Sequence, residues 1–204
     1  MKKLDLRKEF KPLLSPPSKD VVVVQVPRFQ FLMIDGHGDP NTSPLFQESM
    51  QALYALAYGL KFTLKKEKAV DYPVMPIEGL WWSEGVEWFD MKERRDWRWT
   101  LMILQPSVVT KAWVERVRAM TLEKGKAPAA ARVRFEPFRE GRSVQILHIG
   151  PYAAEGPAIA RVHDYMSARG WVPNGHHHEI YLGDPRRSAP EKLRTVLRQP
   201  ARPA

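Results

Sequence analysis

Glu179 and Tyr181 are the side chains of this chain best placed for acid–base chemistry. They lie in Gly175-His176-His177-His178-Glu179-Ile180-Tyr181-Leu182-Gly183-Asp184-Pro185. Ile180 to Leu182 is β-branched, aromatic and aliphatic, and the Gly-Asp-Pro after it is turn chemistry. The stretch is predicted as a short strand entering a turn. Strand side chains alternate between faces. His177, Glu179 and Tyr181 therefore share one face, and His176, His178, Ile180 and Leu182 the other. A carboxylate in an apolar interior needs partners, or its pKa rises. The glutamate-bearing face is thus expected either to meet solvent or to line a cavity.

Glu78, in Pro76-Ile77-Glu78-Gly79-Leu80-Trp81-Trp82, is a second candidate. Paired carboxylates can act as general acid and base. From spacing alone, a salt bridge between each glutamate and one of the arginines is the plainer account. His176-His177-His178 suggests a metal, but only alternate members share a face, and zinc sites take three or four ligands. No His-x-x-x-His helix accompanies them, so no metal site is expected. The chain has seven tryptophans. Trp113 and Trp171 suit a core, while Trp81, Trp82, Trp97 and Trp99 fall on the two strands predicted after the first helix. If Glu78 and Trp82 share a face, that face joins an acid to a large π surface and suits a flat aromatic or cationic ligand. There is no Gly-x-Ser-x-Gly elbow and no phosphate-cradling loop, and Gly36-His37-Gly38 lacks the third glycine of a dinucleotide fingerprint. No cofactor is expected.

The elements that must position these residues follow from periodicity and punctuation. Residues 1–20 form a polar lead-in that packs late or loosely. Val21 to Val26 and Phe29 to Ile34 are predicted as a hairpin turning at Pro27-Arg28. Ser43 and Pro44 open a helix whose apolar positions include Leu45, Leu53 and Tyr54, and Gly59 is expected to stop it. Asp71 to Trp82 and Trp97 to Gln105 read as strands, and residues 108–124 as a helix. Residues 125–129 are the least structured interior stretch. The same grammar then returns: strands at Arg132 to Phe138 and Arg142 to Ile149 about a turn at 139–141, a glycine loop at Gly150-Pro151-Tyr152, and a helix from Pro157 to Gly170. The chain closes with the strand of Glu179 and a last one, Leu193 to Arg198. The loop glycines Gly36 and Gly150 lie 114 positions apart and the helix-opening Pro44 and Pro157 lie 113 apart. This repeat of structure implies two ββαββ-like halves about a pseudo-twofold axis, with Glu78 and Glu179 on equivalent strands. A crevice between such halves is a preferred place for a ligand.

Composition narrows the function further. The apolar share is 44%, enough for a core, and 18 prolines interrupt the chain before any membrane-length apolar run. No signal-peptide pattern opens the chain and cysteine is absent, so a cytoplasmic protein is expected. The formal charge is +9. The basic residues are scattered: Lys65, Lys66 and Lys68, then Lys92 with Arg94 and Arg95, then Arg186 and Arg187. No nucleic-acid-binding motif accompanies them, so neither nucleic acid nor membrane is expected as a partner.

Ile-Gly-Pro-Tyr at 149–152, His-Glu-Ile-Tyr-Leu-Gly-Asp-Pro-Arg-Arg at 178–187 and Leu-Arg-Thr-Val-Leu-Arg-Gln-Pro at 193–200 resemble the GyrI-like small-molecule-binding proteins. The segments at 26–41, 75–82 and 97–106 resemble one subfamily, the cyclopropanoid cyclopropyl hydrolases. The resemblance covers nearly all of residues 20–200. It implies one α+β domain, a GyrI-like (SHS2) duplication with antiparallel sheets around a central crevice. Residues 21–106 would form the first half, 107–129 the connecting helix and linker, and 130–200 the second half. It also implies water addition to the strained cyclopropane of duocarmycin-type DNA alkylators such as yatakemycin. By motif, Glu179 and Tyr181 carry over as catalytic residues, with Trp81, Trp82, Trp99 and Tyr152 as an aromatic cage. Glu78 joins the ligand-binding set as the counterpart of Glu179, and Tyr54 because its helix must cover the crevice. The alternatives are a non-catalytic binder that sequesters or senses xenobiotics, or a gyrase-modulating interaction protein.

Overall fold

The computed structural model describes residues 1–89, 91 and 96–204, so the basic run of Lys92, Arg94 and Arg95 lies outside the described residues. In chain order the elements are β1 (Lys2–Lys3), α1 (Leu6–Glu9), α2 (Lys11–Leu14), β2 (Val22–His37), α3 (Pro44–Lys68), β3 (Val70–Asp71), β4 (Ile77–Trp82) and β5 (Arg98–Gln105). There follow α4 (Lys111–Glu123), β6 (Arg134–Ile149), α5 (Gly156–Ser167), β7 (Trp171–Pro173), β8 (His177–Tyr181) and β9 (Arg194–Pro203). The fold is α+β. Strands β6, β2, β5, β4, β8 and β9 pair in that order, and β9 pairs back onto β6, so the antiparallel sheet closes into a barrel. Strand β7 extends the far end of β9.

Both predicted hairpins prove to be single long strands. Strands β2 and β6 each run for 16 residues. Pro27 and Glu140 skip one rung between Val26↔Gly141 and Arg28↔Arg139, and the ladder then resumes. A proline has no N–H to donate, so it removes a rung without reversing the chain. Closing a sheet on itself needs long strands that bend and pair with different neighbours along their length. Here β2 passes from β6 to β5 in this way.

Gly59 does not stop α3, which runs to Lys68 and ends at Ala69 in the left-handed region. A mid-helix glycine costs only about 1 kcal/mol. Its use here is close approach: a Cβ at Gly59 would lie 2.6 Å from Val117 of α4. The lead-in is not loose either. Leu6 and Leu13 are buried, the backbone N–H of Leu147 donates to Pro17 O, and Gln145 and Arg198 donate from the sheet to the carbonyls of Pro12 and Leu13. Helix α3 packs on β2 and β5 with α4 against it, while α5 packs on β6, β7 and β9. In the strand order α3 and α5 thus lie on either side of β4 and β8, and β8 carries Glu179.

Candidate active site

The alternation of β8 sends its side chains to two different places, and both are buried. His178 points into the barrel. Its Nδ1 lies 3.0 Å from Glu140 Oε1 and its Nε2 2.9 Å from Glu78 Oε2. Two acceptor-only carboxylates require hydrogens on both ring nitrogens, hence a cationic imidazole. Burial pulls the His178 pKa down, but Glu140 and Glu78 outweigh it and hold the group up at about 9. Burial likewise pushes Glu140 up, and His178 and Arg198 overcome this to hold it at about 2. Arg198 donates to Glu140 Oε2 at 3.0 Å and to Gln145 Oε1 at 2.9 Å. The network joins β4, β6, β8 and β9 across the interior.

Glu78, expected in the ligand site, belongs to this network. It pairs in register with Ile180, whereas Gly79 pairs with Glu179. The two glutamates therefore sit on adjacent strands but on opposite faces, and cannot share a ligand as an acid–base pair. A register offset of one residue changes the face completely.

On the outer wall, the Tyr181 hydroxyl donates to Glu179 Oε2 at 2.6 Å, and the Trp81 indole N–H donates to the Tyr181 oxygen at 3.0 Å. Gly79 makes room for this chain, because a Cβ there would come within 2.6 Å of the Trp81 indole nitrogen. His177 Nε2 lies 3.3 Å from the other carboxylate oxygen, Glu179 Oε1, in ion-pair reach but not aligned as a hydrogen bond. Burial first, and then the charge of Glu179, push the Tyr181 phenol well above its ordinary value. The phenol therefore stays protonated as the donor. Tyr152 meets Tyr181 edge to face at 5.5 Å. Its own phenol is raised to about 12, by burial and then by Glu155 and Glu179. Tyr54 of α3 is half-buried and raised chiefly by burial, and it also feels Asp184 and Arg186 at the rim.

A residue that sequence reasoning passed over stands beside Glu179. Glu155, at the start of α5, is 1% exposed, and its Oε1 has no partner. Burial, then the negative charge of Glu179, raise its pKa to about 9. Two buried carboxylates near one another cannot both ionise cheaply, so one keeps its proton. Nothing in Ala154-Glu155-Gly156-Pro157 advertises burial; only the docking of α5 onto β9 makes it so.

The aromatic residues divide by face and depth. Trp81 and Trp99 share the helix-covered side, with Phe46 of α3 stacked on Trp81 at 6.0 Å and edge-on to Trp99 at 5.2 Å. Trp99 is fully buried and lies across Gly36, where a Cβ would meet its ring at 2.1 Å. Trp99 therefore backs the wall and does not form its surface. Trp82 lies on the other side of β4 and stacks on His176 at 4.1 Å. A cleft of about 750 Å³ opens here, lined by Trp81, Trp82, Trp97, Phe89, His176 and His177 among others. Trp97 contacts Trp81 at 5.4 Å and Phe89 at 5.2 Å. Among the described residues, no group of three or more His, Cys, Asp or Glu side chains could hold a metal ion, and no helix is long and apolar enough to cross a membrane.

Residues 19–201 match the model of the GyrI-like small molecule binding domain. The chain belongs to the GyrI-like family. Solved structures agree along the whole length. A conserved protein from Listeria innocua is 37% identical with a TM-score of 0.89, over 98% of this chain and 100% of that one. Two Listeria innocua structures described as hydrolases are 33% and 37% identical, with TM-scores of 0.83 and 0.86 and the same coverage. The C-terminal domain of EcmrR, at 8% identity and a TM-score of 0.57, shares the fold alone. No curated protein matches the chain. The GyrI-like domain binds small molecules, and the site described above is where this member has buried carboxylates beside aromatic rings.

Proposed function

We propose that this GyrI-like protein is a cofactor-independent hydrolase of flat aromatic xenobiotics. Its substrates on this reading are cyclopropanoid DNA alkylators of the yatakemycin and duocarmycin type, and its role is detoxification. The observation that carries the reading is Glu179, buried, held through one oxygen by Tyr181 and walled by Trp81. The similarity to hydrolases at 33% and 37% identity supports the reaction class. In such drugs the cyclopropane is conjugated to a dienone. Water adds to the methylene carbon, the strained C–C bond breaks, and its electron pair restores an aromatic phenoxide. Little covalent help is needed. The aromatic walls hold the ring system so that the methylene faces a water, which is an orientation effect. Glu179 supplies the negative charge that drives removal of the water's proton. Glu155, kept neutral beside it, is a hydrogen-bond donor available to charge that develops on the drug, while the single hydrogen of the Tyr181 hydroxyl stays on Glu179.

Tyr54 and Tyr152 form the outer rim, Trp81 and Trp82 the cage and Trp99 its backing. The two long strands β2 and β6, each leading to a helix, and the antiparallel meeting of β4 with β8, favour reading the chain as a duplication of one unit with residues 107–129 as the connection. A second reading, a binder that sequesters the drug unchanged, needs only the aromatic walls. Mass spectrometry after incubation with a cyclopropanoid drug separates the two. A gain of one water is the hydrolase, and an unchanged drug that co-purifies is the binder. Glu179→Gln should lower turnover about 100-fold or more, and Trp82→Ala should weaken drug binding. Undiminished turnover in both variants would refute the assignment.

A further inference from the structure

His177 has no task in the chemistry above, yet its surroundings are unlike those of a structural histidine. Its side chain is 2% exposed, and neither ring nitrogen has an aligned hydrogen-bond partner. Burying an unpartnered polar atom costs free energy that folds ordinarily avoid. The contrast is next door: His178, equally buried, is bonded at both nitrogens.

We propose that His177 is the residue that takes the proton from the attacking water, and that the cleft it lines is the chamber that receives the drug's flat ring system. This rests on the hydrolase reading. The geometry has four parts. Nε2 faces Glu179 Oε1 at 3.3 Å, while Tyr181 holds Oε2. No aligned bond fixes the tautomer; we assign the hydrogen to Nε2, whose polar neighbour Glu179 is a carboxylate that can only accept, and the lone pair to Nδ1. The ring lies flat against Phe89, 4.5 Å between centroids and 1° between planes, which holds the plane of the imidazole. The ring also lines the cleft of about 750 Å³, a size that suits a small molecule, with a wall partly aromatic and partly charged (Glu84, Glu87, Asp96 and Arg98).

Glu179 then stands behind His177, orienting the ring and stabilising its cation, and does not itself touch the water. From α5, His163 is a further titratable group near enough to feel His177. Burial, then His177, hold it down to about 4, so it stays neutral over the working range. In the step, the water oxygen bonds to the cyclopropane methylene as its proton passes to Nδ1. The C–C bond breaks and its electron pair becomes the phenoxide. The imidazolium then returns the proton, through solvent, to give the phenol. Drug plus water equals product, with no oxidant or reductant.

The experiment is drug hydrolysis by purified wild type, His177→Ala and His177→Gln, with and without added imidazole, and with binding followed by tryptophan quenching. His177→Ala should lose about 100-fold or more in kcat, with the drug's Kd changed less than about threefold. Imidazole should restore at least about tenfold of the loss in His177→Ala and nothing in Glu179→Gln. Turnover within about threefold of wild type overturns the proposal, as does a loss that imidazole leaves untouched while binding weakens in parallel. If His177→Ala does not fold, His177→Gln decides: it is polar but cannot take up a proton, and full turnover by it overturns the proposal. Wild type that leaves the drug unaltered fells the hydrolase reading and this step with it. Active wild type with active His177 variants fells this step alone.

Discussion

Replacing Glu155 with glutamine should make the protein more stable, by an amount that grows with pH. The folded protein holds this carboxyl at a pKa of about 9 against an ordinary 4.5, because it is buried and because Glu179 is charged nearby. The unfolded chain releases the proton near the ordinary value. Between the two values the folded state binds the extra proton, so this group's contribution is full below the lower value and is lost as pH rises towards the upper one. The slope is about 1.4 kcal/mol per pH unit. At pH 7 the loss amounts to about 3 kcal/mol. Glutamine does not ionise in either state and removes the slope. The assay is urea unfolding of wild type and Glu155→Gln at pH 5, 6, 7 and 8. The stability difference should move in favour of the variant by about 4 kcal/mol across that range. A constant offset from burying the amide's extra hydrogen cancels in the slope. All other titrations are common to both proteins and cancel as well. Glu179→Gln is the companion measurement: it removes one of the two causes, so the wild-type slope should end at a lower pH. A difference between wild type and Glu155→Gln that stays flat within about 1 kcal/mol would refute the claim that this carboxyl is buried uncharged.

Two further outcomes test the scaffold. Glu140→Gln leaves the buried cations of His178 and Arg198 with one counter-charge fewer, and should cost roughly 3–5 kcal/mol in urea unfolding at neutral pH. Since Glu140 is held at about 2 against 4.5, its contribution is present above the ordinary value and lost as pH falls through the folded one. The variant should therefore lose less stability than wild type on acidification across that window. Gly36→Ala would put a Cβ 2.1 Å from the fully buried ring of Trp99. The ring has no free space to enter, so destabilisation of about 3 kcal/mol is expected, read as a lowered Tm by calorimetry.

Much of the local structure was legible in the chain. The strand of Glu179, its alternation, the Ser43-Pro44 helix start and the Trp97–Gln105 strand all follow from residue types and period. So does the pairing of Glu179 with Tyr181, since strand residues two apart point the same way. The hairpins misread at Pro27 and at 139–141 show the limit of punctuation. Proline and glycine mark a break in the ladder, and whether the chain then reverses or continues depends on which strand lies alongside. Gly59 teaches the same thing: its role is set by Val117, 58 positions away in sequence.

The sequence alone determined which residues share a face, and hence that Glu179 and Tyr181 stand side by side. It also carried the family, because that resemblance rests on ordered strings of residues. Tertiary structure decided what each face meets. Barrel closure buried both sides of β8 and drew Glu78 away to His178. The docking of α5 brought Glu155, unremarkable in the chain, beside Glu179. The histidine run looked like a failed metal site, yet burial divides it into a bonded structural residue and an unbonded one facing a cleft. These are effects of long-range contact and desolvation, and both appear only once the barrel has closed.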